Sequence, residues 1–548
     1  MQTYTLAAEA AANGNPLLNI AIFGAFIVVT LFIVTKAGKT TSESSDFYTG
    51  GASFSGTQNG LAIAGDYLSA ASFLGIVGSI ALSGYDGFLY SIGFFVAWLV
   101  ALLLVAEPLR NVGRFTMADV LSFRLRQKPV RVAAAFGTLF VSLFYLIAQM
   151  AGAGSLVSVL LDLHSFAAQA ICVAIVGVVM IVYVLVGGMK GTTYVQMIKA
   201  VLLITGVLIM SILAFVVAKG GLNAIFDQAI EAHANSAYLA EKGYVAENIM
   251  QPGLKYGATT TSKLDFISLG LSLVLGTAGL PHVLMRFYTV PTAKEARKSV
   301  TWAIVLIGSF YLLTLILGYA AAAFVGPDRI LAAPGGANAA APLLAFELGG
   351  SIFMALIAAV AFATVLAVVA GLAITASASI AHDVYAAVLR DGQATEDEQV
   401  RVSRITVVVL GIVSIILGIL AMTQNVAFLV SLAFAIAASA NLPTILYSLY
   451  WKRFNTTGAV ASIYTGLISA LVLIALSPAV SGSPTAMFPD ADWSIFPLTS
   501  PGLVSIPLGF LGGLIGTFLG KPDNFDELQA EMEVRSLTGV GVEAPVDH

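Results

Sequence analysis

Two interrupted apolar segments decide the fold of this chain. The first reads NGLAIAGDYLSAASF, residues 59–73, and the second reads LGTAGLPHVLMR, residues 275–286. Each lies within a long apolar run, yet each combines glycine with an ionisable side chain, Asp66 in the first and His282 in the second. Backbone polar groups in lipid must be satisfied within the helix or by buried partners. These segments therefore predict helices that break inside a protein core.

The composition indicates that this core lies in a membrane. The chain has 548 residues, of which 58% are hydrophobic and 10% charged, and its mean hydropathy is +0.92. A soluble domain carries about 25% charged residues, so this chain lacks the polar surface that water requires. Its net charge of −4 offers no basic patch for nucleic acid. The single cysteine, Cys172, the scattered histidines and the lack of a catalytic constellation predict neither a metal cluster nor an enzyme.

Thirteen apolar runs are long enough to cross a bilayer, which takes about 20 residues. They lie at 17–35, 57–83, 87–107, 132–160, 166–186, 193–218, 264–285, 299–325, 349–381, 403–421, 425–450, 457–477 and 503–520. Each run is continuous, whereas the strands of a membrane barrel alternate over about 10 residues. The sequence therefore predicts an all-α membrane protein with about 13 transmembrane helices in a lipid bilayer.

The basic residues predict the orientation, because Lys and Arg accumulate on the cytoplasmic side. With the N-terminus outside, 20 of the 26 basic residues, Arg286 among them, fall in cytoplasmic segments and five in external segments. The remaining one, Lys199, lies within a helix and is expected to extend to the cytoplasmic face. We predict a multi-pass protein of the plasma (inner) membrane with its N-terminus outside and its C-terminus in the cytoplasm.

The two interrupted segments lie five spans apart, which predicts two inverted repeats that each begin with a broken helix. The expected units are an external N-terminal tail at 1–16, an extra helix at 17–35, a first repeat at 57–218, a second repeat at 264–450, two C-terminal helices at 457–520 and a cytoplasmic tail at 521–548. The long external loop at 219–263 is expected to contain a short surface helix.

The helix breaks are the expected site of binding. Unwinding frees backbone carbonyls for a cation, and the N–H groups of a half-helix point toward an anion. Tyr145 and Gln149 lie on adjacent turns of the fourth span, and Asn441 precedes a proline kink. The predicted substrate-binding residues are Tyr67, Ser69, Ser72, Tyr145, Gln149, Gly279, His282 and Asn441. The alternatives are close helix packing at the glycines, a capping role for Asp66, and a structural histidine at 282.

Five motifs carry a resemblance to a known family. They are GDYLSAASFLG at 65–75, SGYDG at 83–87, LRNVGRFT at 109–116, GLPHVLMRFYT with AKEARKS at 279–299, and AHDVY at 381–385. With these motifs the chain resembles the sodium:solute symporter family from about residue 20 to 520, and within it the acetate or short-monocarboxylate permease branch. The resemblance implies a leucine-transporter-type core of five plus five helices and cation-driven uptake.

The resemblance also implies a cation site. It would use backbone carbonyls near Gly65 and Leu68, and in the ninth span the carbonyl of Thr364 with two adjacent hydroxyl side chains. The hydroxyl positions hold Ala367 and Val368, which depart from the family pattern. Asp66 offers a protonatable group nearby, so the coupling ion is H⁺ or Na⁺, with protons favoured. No other cofactor is expected.

The predicted function is cation-coupled symport of a short monocarboxylate, such as acetate, propionate or pyruvate, across the plasma membrane. The alternatives are a sodium-coupled symporter of proline, a sugar or a vitamin, and a transporter-like membrane sensor. The short polar segment after Lys521 argues against a sensor with a fused kinase. The few polar side chains at the breaks argue against a sugar, which needs many hydrogen bonds.

Overall fold

The computed structural model describes residues 16–38, 53–113, 116–241, 249–523 and 525–540. Across these ranges the chain is helical, with no β-strand beyond an isolated bridge between Ser481 and Phe488. The predicted all-α class is confirmed.

The first half of the described chain forms ten helices. They are α1 (Pro16–Gly38), α2 (Gly56–Tyr67), α3 (Ile76–Ser83), α4 (Tyr85–Leu104), α5 (Ala106–Val112), α6 (Met117–Leu121), α7 (Gln127–Leu161), α8 (Phe166–Ala218), α9 (Gly221–Ala234) and α10 (Ala237–Glu241). Side-chain caps fix several of their starts: Ser55 forms a capping box with Gln58 at α2, and Ser165 accepts a hydrogen bond from the Ala168 N–H at α8.

The second half forms eleven more helices. They are α11 (Thr260–Gly276), α12 (Pro281–Met285), α13 (Ala293–Phe324), α14 (Pro327–Ala332), α15 (Ala340–Ala378), α16 (Glu396–Leu420), α17 (Val426–Ile436), α18 (Leu442–Tyr450), α19 (Thr456–Ala475), α20 (Gly502–Leu519) and α21 (Asp526–Thr538). Three π-helical segments interrupt the regular helices: Ala71–Gly75 before α3, Ser379–Leu389 after α15, and Ala437–Asn441 between α17 and α18.

Eleven segments of the described chain are long and apolar enough to cross a membrane, and α2 together with Ala71–Ser83, bent by 61°, makes a twelfth when the pair is counted as one span. Helix α8 carries two of the eleven, Phe166–Leu185 and Thr192–Ala218, close to the predicted boundaries. The first predicted span, 17–35, falls on α1, and its role as a thirteenth span stays a prediction.

The predicted surface helix of the loop at 219–263 is present as α9, which buries Ile225, Ala229 and His233. Further along the chain, the same loop is bound by Asp86, which lies at the start of α4. Its carboxylate accepts hydrogen bonds from three backbone N–H groups, those of Gly253 at 2.8 Å, Lys255 at 2.6 Å and Tyr256 at 2.9 Å. The Asp86 side chain is completely buried, so these bonds hold the loop against the helix bundle.

The segment predicted as a tail contains α21, which docks on the bundle. The amide of Asn111 donates to the Ser536 carbonyl at 3.1 Å, and Lys452 forms an ion pair with Glu533 at 3.0 Å. Arg535 lies over the ring of Phe123. These three contacts hold α21 against the helix bundle.

Candidate functional site

The first break lies at residues 68–69, where α2 ends and the chain turns before the π-helical segment that leads into α3. Leu68 has φ −71° and ψ 83°, which no helix continues, and its N–H bonds the Ala64 carbonyl at 2.9 Å. The next polar side chains cap the break locally: Ser69 accepts a hydrogen bond from the Ala71 N–H at 3.2 Å, and Ser72 donates to the Tyr67 carbonyl at 3.3 Å. Side chains thus replace part of the missing helical hydrogen bonding.

The second break separates α11 from α12. Leu280 is extended, with φ −76° and ψ 113°, and Pro281 then opens α12 in the position where a missing N–H costs least. The amide of Asn441 donates to the Gly279 carbonyl at 2.8 Å. Asn441 lies in the π-helical segment between α17 and α18, so this bond joins two irregular regions of the second repeat.

One tyrosine connects the two breaks directly. The hydroxyl of Tyr67 lies 3.0 Å from that of Thr277 and donates to the Phe94 carbonyl at 2.9 Å. Ser72 is likewise engaged, 3.0 Å from the hydroxyl of Tyr311. Of the predicted substrate residues, Tyr67 and Ser72 therefore already have protein partners.

His282 is buried without a polar partner. The side chain is 1% exposed, and neither ring nitrogen has a hydrogen-bond partner in the described ranges. Its ring packs edge-on against Tyr145, with centroids 5.2 Å apart, and the Tyr145 hydroxyl donates to Ser69 at 3.4 Å. The structure thus brings three predicted substrate residues, Ser69, Tyr145 and His282, to one place between the breaks.

Gln149 is the second buried polar side chain at this place for which the structure describes no hydrogen-bond partner. It lies one turn after Tyr145 on α7 and one turn before Gly152, where a Cβ atom would lie 3.0 Å from Ala70. Tyr145 and Gly152 both face the first break, so Gln149 between them has the same direction. Neither its oxygen nor its nitrogen has a partner within the described part of the chain, although the residue is fully buried. Unpaired buried polar groups cost about 1–3 kcal/mol each.

A charged network lies beside the first break. Arg286 donates from Nε to Asp66 at 3.3 Å and from Nη1 to Thr193 at 2.8 Å, and it also bonds the Gln196 oxygen. The Gln196 amide in turn donates to Asp66 at 3.0 Å and to the Ala367 carbonyl at 3.3 Å. Asp66 and Arg286 are 2% and 1% exposed.

Arg286 was counted from the sequence as a cytoplasmic loop residue, and that interpretation is wrong. The arginine is buried because it neutralises Asp66, and it links the second broken helix to the first and to α8. The sequence signal for the burial of Arg286 was its position in the same interrupted segment, four residues after His282.

The expected position of Lys199 is also wrong. Its side chain is 2% exposed, and Nζ donates to the carbonyl of Thr364 at 2.8 Å. Lys199 follows Gln196 by one turn of α8, and Thr364 precedes Ala367 by one turn of α15. The Lys199–Thr364 and Gln196–Ala367 contacts therefore lie on successive turns of the same two helices. A buried carbonyl partner holds the amino group here, and the side chain does not extend to the protein surface.

Two other predicted cation residues, Gly65 and Asp66, pack against α8 and α15. Gly65 lies against the backbone of Gln196, where a Cβ atom would come 3.2 Å from the Gln196 Cα. Asp66 faces α15 at Gly371, two turns after Thr364. The Thr364 hydroxyl donates to the Val360 carbonyl at 3.0 Å.

A second ionic cluster, which the sequence did not reveal, lies where α6 and the start of α7 meet the π-helical segment Ser379–Leu389. Arg131 pairs with Asp383 at 2.7 Å and with Asp119 at 2.9 Å, and His382 lies 3.7 Å from Asp119. Burial alone raises the pKa of the Asp119 carboxyl, but the hydrogen bond with His382 and the charge of Arg131 outweigh it, so this pKa lies well below its usual value. Asp119, His382 and Asp383 approach one another closely enough to hold a metal ion, but Arg131 already supplies their positive charge.

The family model for the sodium:solute symporter family matches residues 47–466. The chain belongs to the sodium:solute symporter family. It is 78% identical over 548 residues to a protein of Corynebacterium glutamicum named "Monocarboxylic acid transporter", with all of both chains covered. It is 51% identical over 528 residues to the "Uncharacterized symporter YwcA" of Bacillus subtilis, covering 96% of this chain and 98% of that one.

The fold is similar to that of a symporter whose structure has been solved. A solved structure of a Na⁺-coupled sialic acid symporter superposes with a TM-score of 0.66 at 16% identity, covering 92% of this chain and 98% of the other. The family member described here is therefore a multi-pass membrane protein with the leucine-transporter-type architecture. Membership of a symporter family implies a small-molecule substrate and a coupling cation.

Proposed function

We propose that this symporter imports short monocarboxylates, such as acetate, propionate and pyruvate, across the plasma membrane. The observation that carries the proposal is a pair of polar side chains, His282 and Gln149, which are buried between the two breaks and have no polar partner among the described residues. A small carboxylate could take up their hydrogen bonds together with N–H groups of the broken helices. The name of the relative from Corynebacterium glutamicum supports the same substrate class.

The aromatic surroundings favour a small substrate over a sugar. Tyr145 packs against His282 on one side and near Phe434 on the other, with centroids 6.2 Å apart for the second pair. Phe434 also contacts Tyr67 and Phe94. A sugar would need a partner for each hydroxyl group, whereas Tyr67 and Ser72 are already bonded to the protein. An acetate methyl group fits an aromatic wall without further hydrogen bonds.

We further propose that the coupling ion is a proton. A sodium ion, like other hard cations, needs several oxygen ligands at short range. Around Thr364, the carbonyl accepts a hydrogen bond from Lys199 and the hydroxyl donates to Val360, while Ala367 and Val368 bring no side-chain oxygen. Asp66 is engaged by Arg286 and Gln196.

The membrane orientation that fits the basic residues is N-terminus outside and C-terminus in the cytoplasm.

Uptake of labelled acetate into proteoliposomes tests the substrate class. We expect unlabelled propionate and pyruvate to compete with acetate, and proline or glucose in equal excess to have no effect, because the site offers few hydrogen bonds beyond those for a carboxylate. Proton and sodium gradients are imposed separately at fixed pH, and we expect an inward proton gradient alone to drive accumulation. Empty liposomes are the control. Competition by proline or a sugar without competition by propionate would contradict the proposal.

A further inference from the structure

We infer that the ammonium group of Lys199 is a built-in cation that occupies the position at Thr364 where sodium-dependent relatives would hold their ion. Only the transport measurement in the test below rests on the proposed function. The inference predicts that this symporter binds no sodium at the Thr364 carbonyl. It also explains why α15 dispenses with two hydroxyl groups at Ala367 and Val368.

The geometry of the contact supports this role. Nζ lies 2.8 Å from the Thr364 oxygen, which is the strong, short contact of a charged donor with a carbonyl. The lysine reaches it from α8, on the face that also carries Thr193 and Gln196, at intervals of three residues. The amino group therefore lies between α8 and α15, beside the first broken helix, where α2 meets both.

The charges near the first break leave little room for another cation. Arg286 already neutralises the Asp66 carboxylate at 3.3 Å. Lys199 adds a second positive charge one turn from Gln196, whose amide bonds Asp66 and the Ala367 carbonyl. A sodium ion at the Thr364 carbonyl would have to displace the ammonium group and face Arg286, while the nearby Asp66 carboxylate is already paired. Repulsion between buried like charges is poorly screened.

A lysine with a purely structural role would also bond the carbonyl. The test must therefore distinguish that role from the role in which Lys199 takes the place of a sodium ion. Purified protein is heated in NaCl, KCl or choline chloride at equal ionic strength, and Tm is measured. The variants are Lys199→Met, Lys199→Ala, and the triple variant Lys199→Ala/Ala367→Ser/Val368→Ser, which removes the ammonium and adds two hydroxyl groups. Lys263→Met changes an exposed lysine on α11 and serves as the matched control.

We expect the Tm of the unmodified protein and of the Lys263→Met variant to be the same in all three salts. The triple variant should gain a saturable, sodium-specific rise in Tm that Lys199→Ala alone does not show, because hydroxyl groups complete the ligand set. Lys199→Met should lose accumulation of acetate. A saturable sodium-specific rise in Tm of the unmodified protein would overturn the inference, even if the triple variant failed to fold.

Acetate accumulation by Lys199→Met at the unmodified level would also overturn it. The Tm measurements require no substrate, so they decide the inference independently of transport. If the protein carried a solute other than a monocarboxylate, only the proposed substrate would be wrong, and Lys199→Met would be tested with that solute instead.

Discussion

Replacing His282 with alanine is expected to raise the apparent KM for acetate by roughly 10- to 100-fold, or to abolish uptake. Both ring nitrogens are unpartnered within the described chain and the side chain is buried, so its hydrogen bonds are available to a substrate. A hydrogen bond to a charged group contributes about 1.5–3 kcal/mol, and each 1.4 kcal/mol changes affinity by a factor of about ten. The measurement is initial-rate uptake across a range of acetate concentrations.

His233 supplies a matched control for this substitution. It is also a buried histidine, but it lies on α9 and its Nδ1 bonds the Ala229 carbonyl at 2.9 Å. His233→Ala should leave KM for acetate unchanged. His282→Gln keeps one donor and should recover part of the lost affinity. A normal KM in folded His282→Ala protein would remove His282 from the binding site.

The second large effect is expected for Asp66→Asn, which should abolish concentrative acetate uptake and lower Tm. The substitution leaves the Arg286 charge without its carboxylate partner, and removing one member of a buried ion pair costs about 3–5 kcal/mol. Downhill acetate exchange should persist if the fold survives, because Asp66 does not lie among the unpartnered substrate groups. Uptake, exchange and thermal unfolding are measured on the same preparation.

The exposed ion pair of Arg390 and Glu398 provides the comparison. Its 3.2 Å separation is close to the 3.3 Å of Arg286 and Asp66, but its side chains are 51% and 38% exposed. Glu398→Gln should therefore cost no more than about 1 kcal/mol and leave uptake intact. The double variant Asp66→Asn/Arg286→Gln should regain part of the lost Tm. Concentrative uptake by Asp66→Asn at the normal rate would exclude Asp66 from coupling.

Much of the fold could be predicted from the sequence because the membrane imposes simple rules. Apolar runs had to be helices, and the glycine and proline of the second interrupted segment had to interrupt one. The bend between α2 and α3 and the extended Leu280 lie within the two segments that were singled out. Composition and local pattern are enough to predict these elements, because the lipid permits few backbone structures.

The charged contacts could not be predicted in the same way. Arg286 and Lys199 looked like residues that mark or reach a membrane face, and only the packing of α8 against α2 and α15 shows that both are buried. Arg131 pairs with Asp383, 252 positions away. Such pairs depend on which helices touch, and hydropathy carries no information about helix neighbours.

The bonds from Asp86 to the loop at 253–256 have a consequence for measuring motion. Amide protons exchange with solvent only when their hydrogen bonds open, and three amides of this loop, those of Gly253, Lys255 and Tyr256, share one buried carboxylate on α4. Tyr319 on α13 also donates to the Ile249 carbonyl at 2.8 Å, so the same loop is joined to both α4 and α13. Deuterium uptake at these amides, followed with and without acetate, would therefore time the separation of α4 from the loop during the transport cycle.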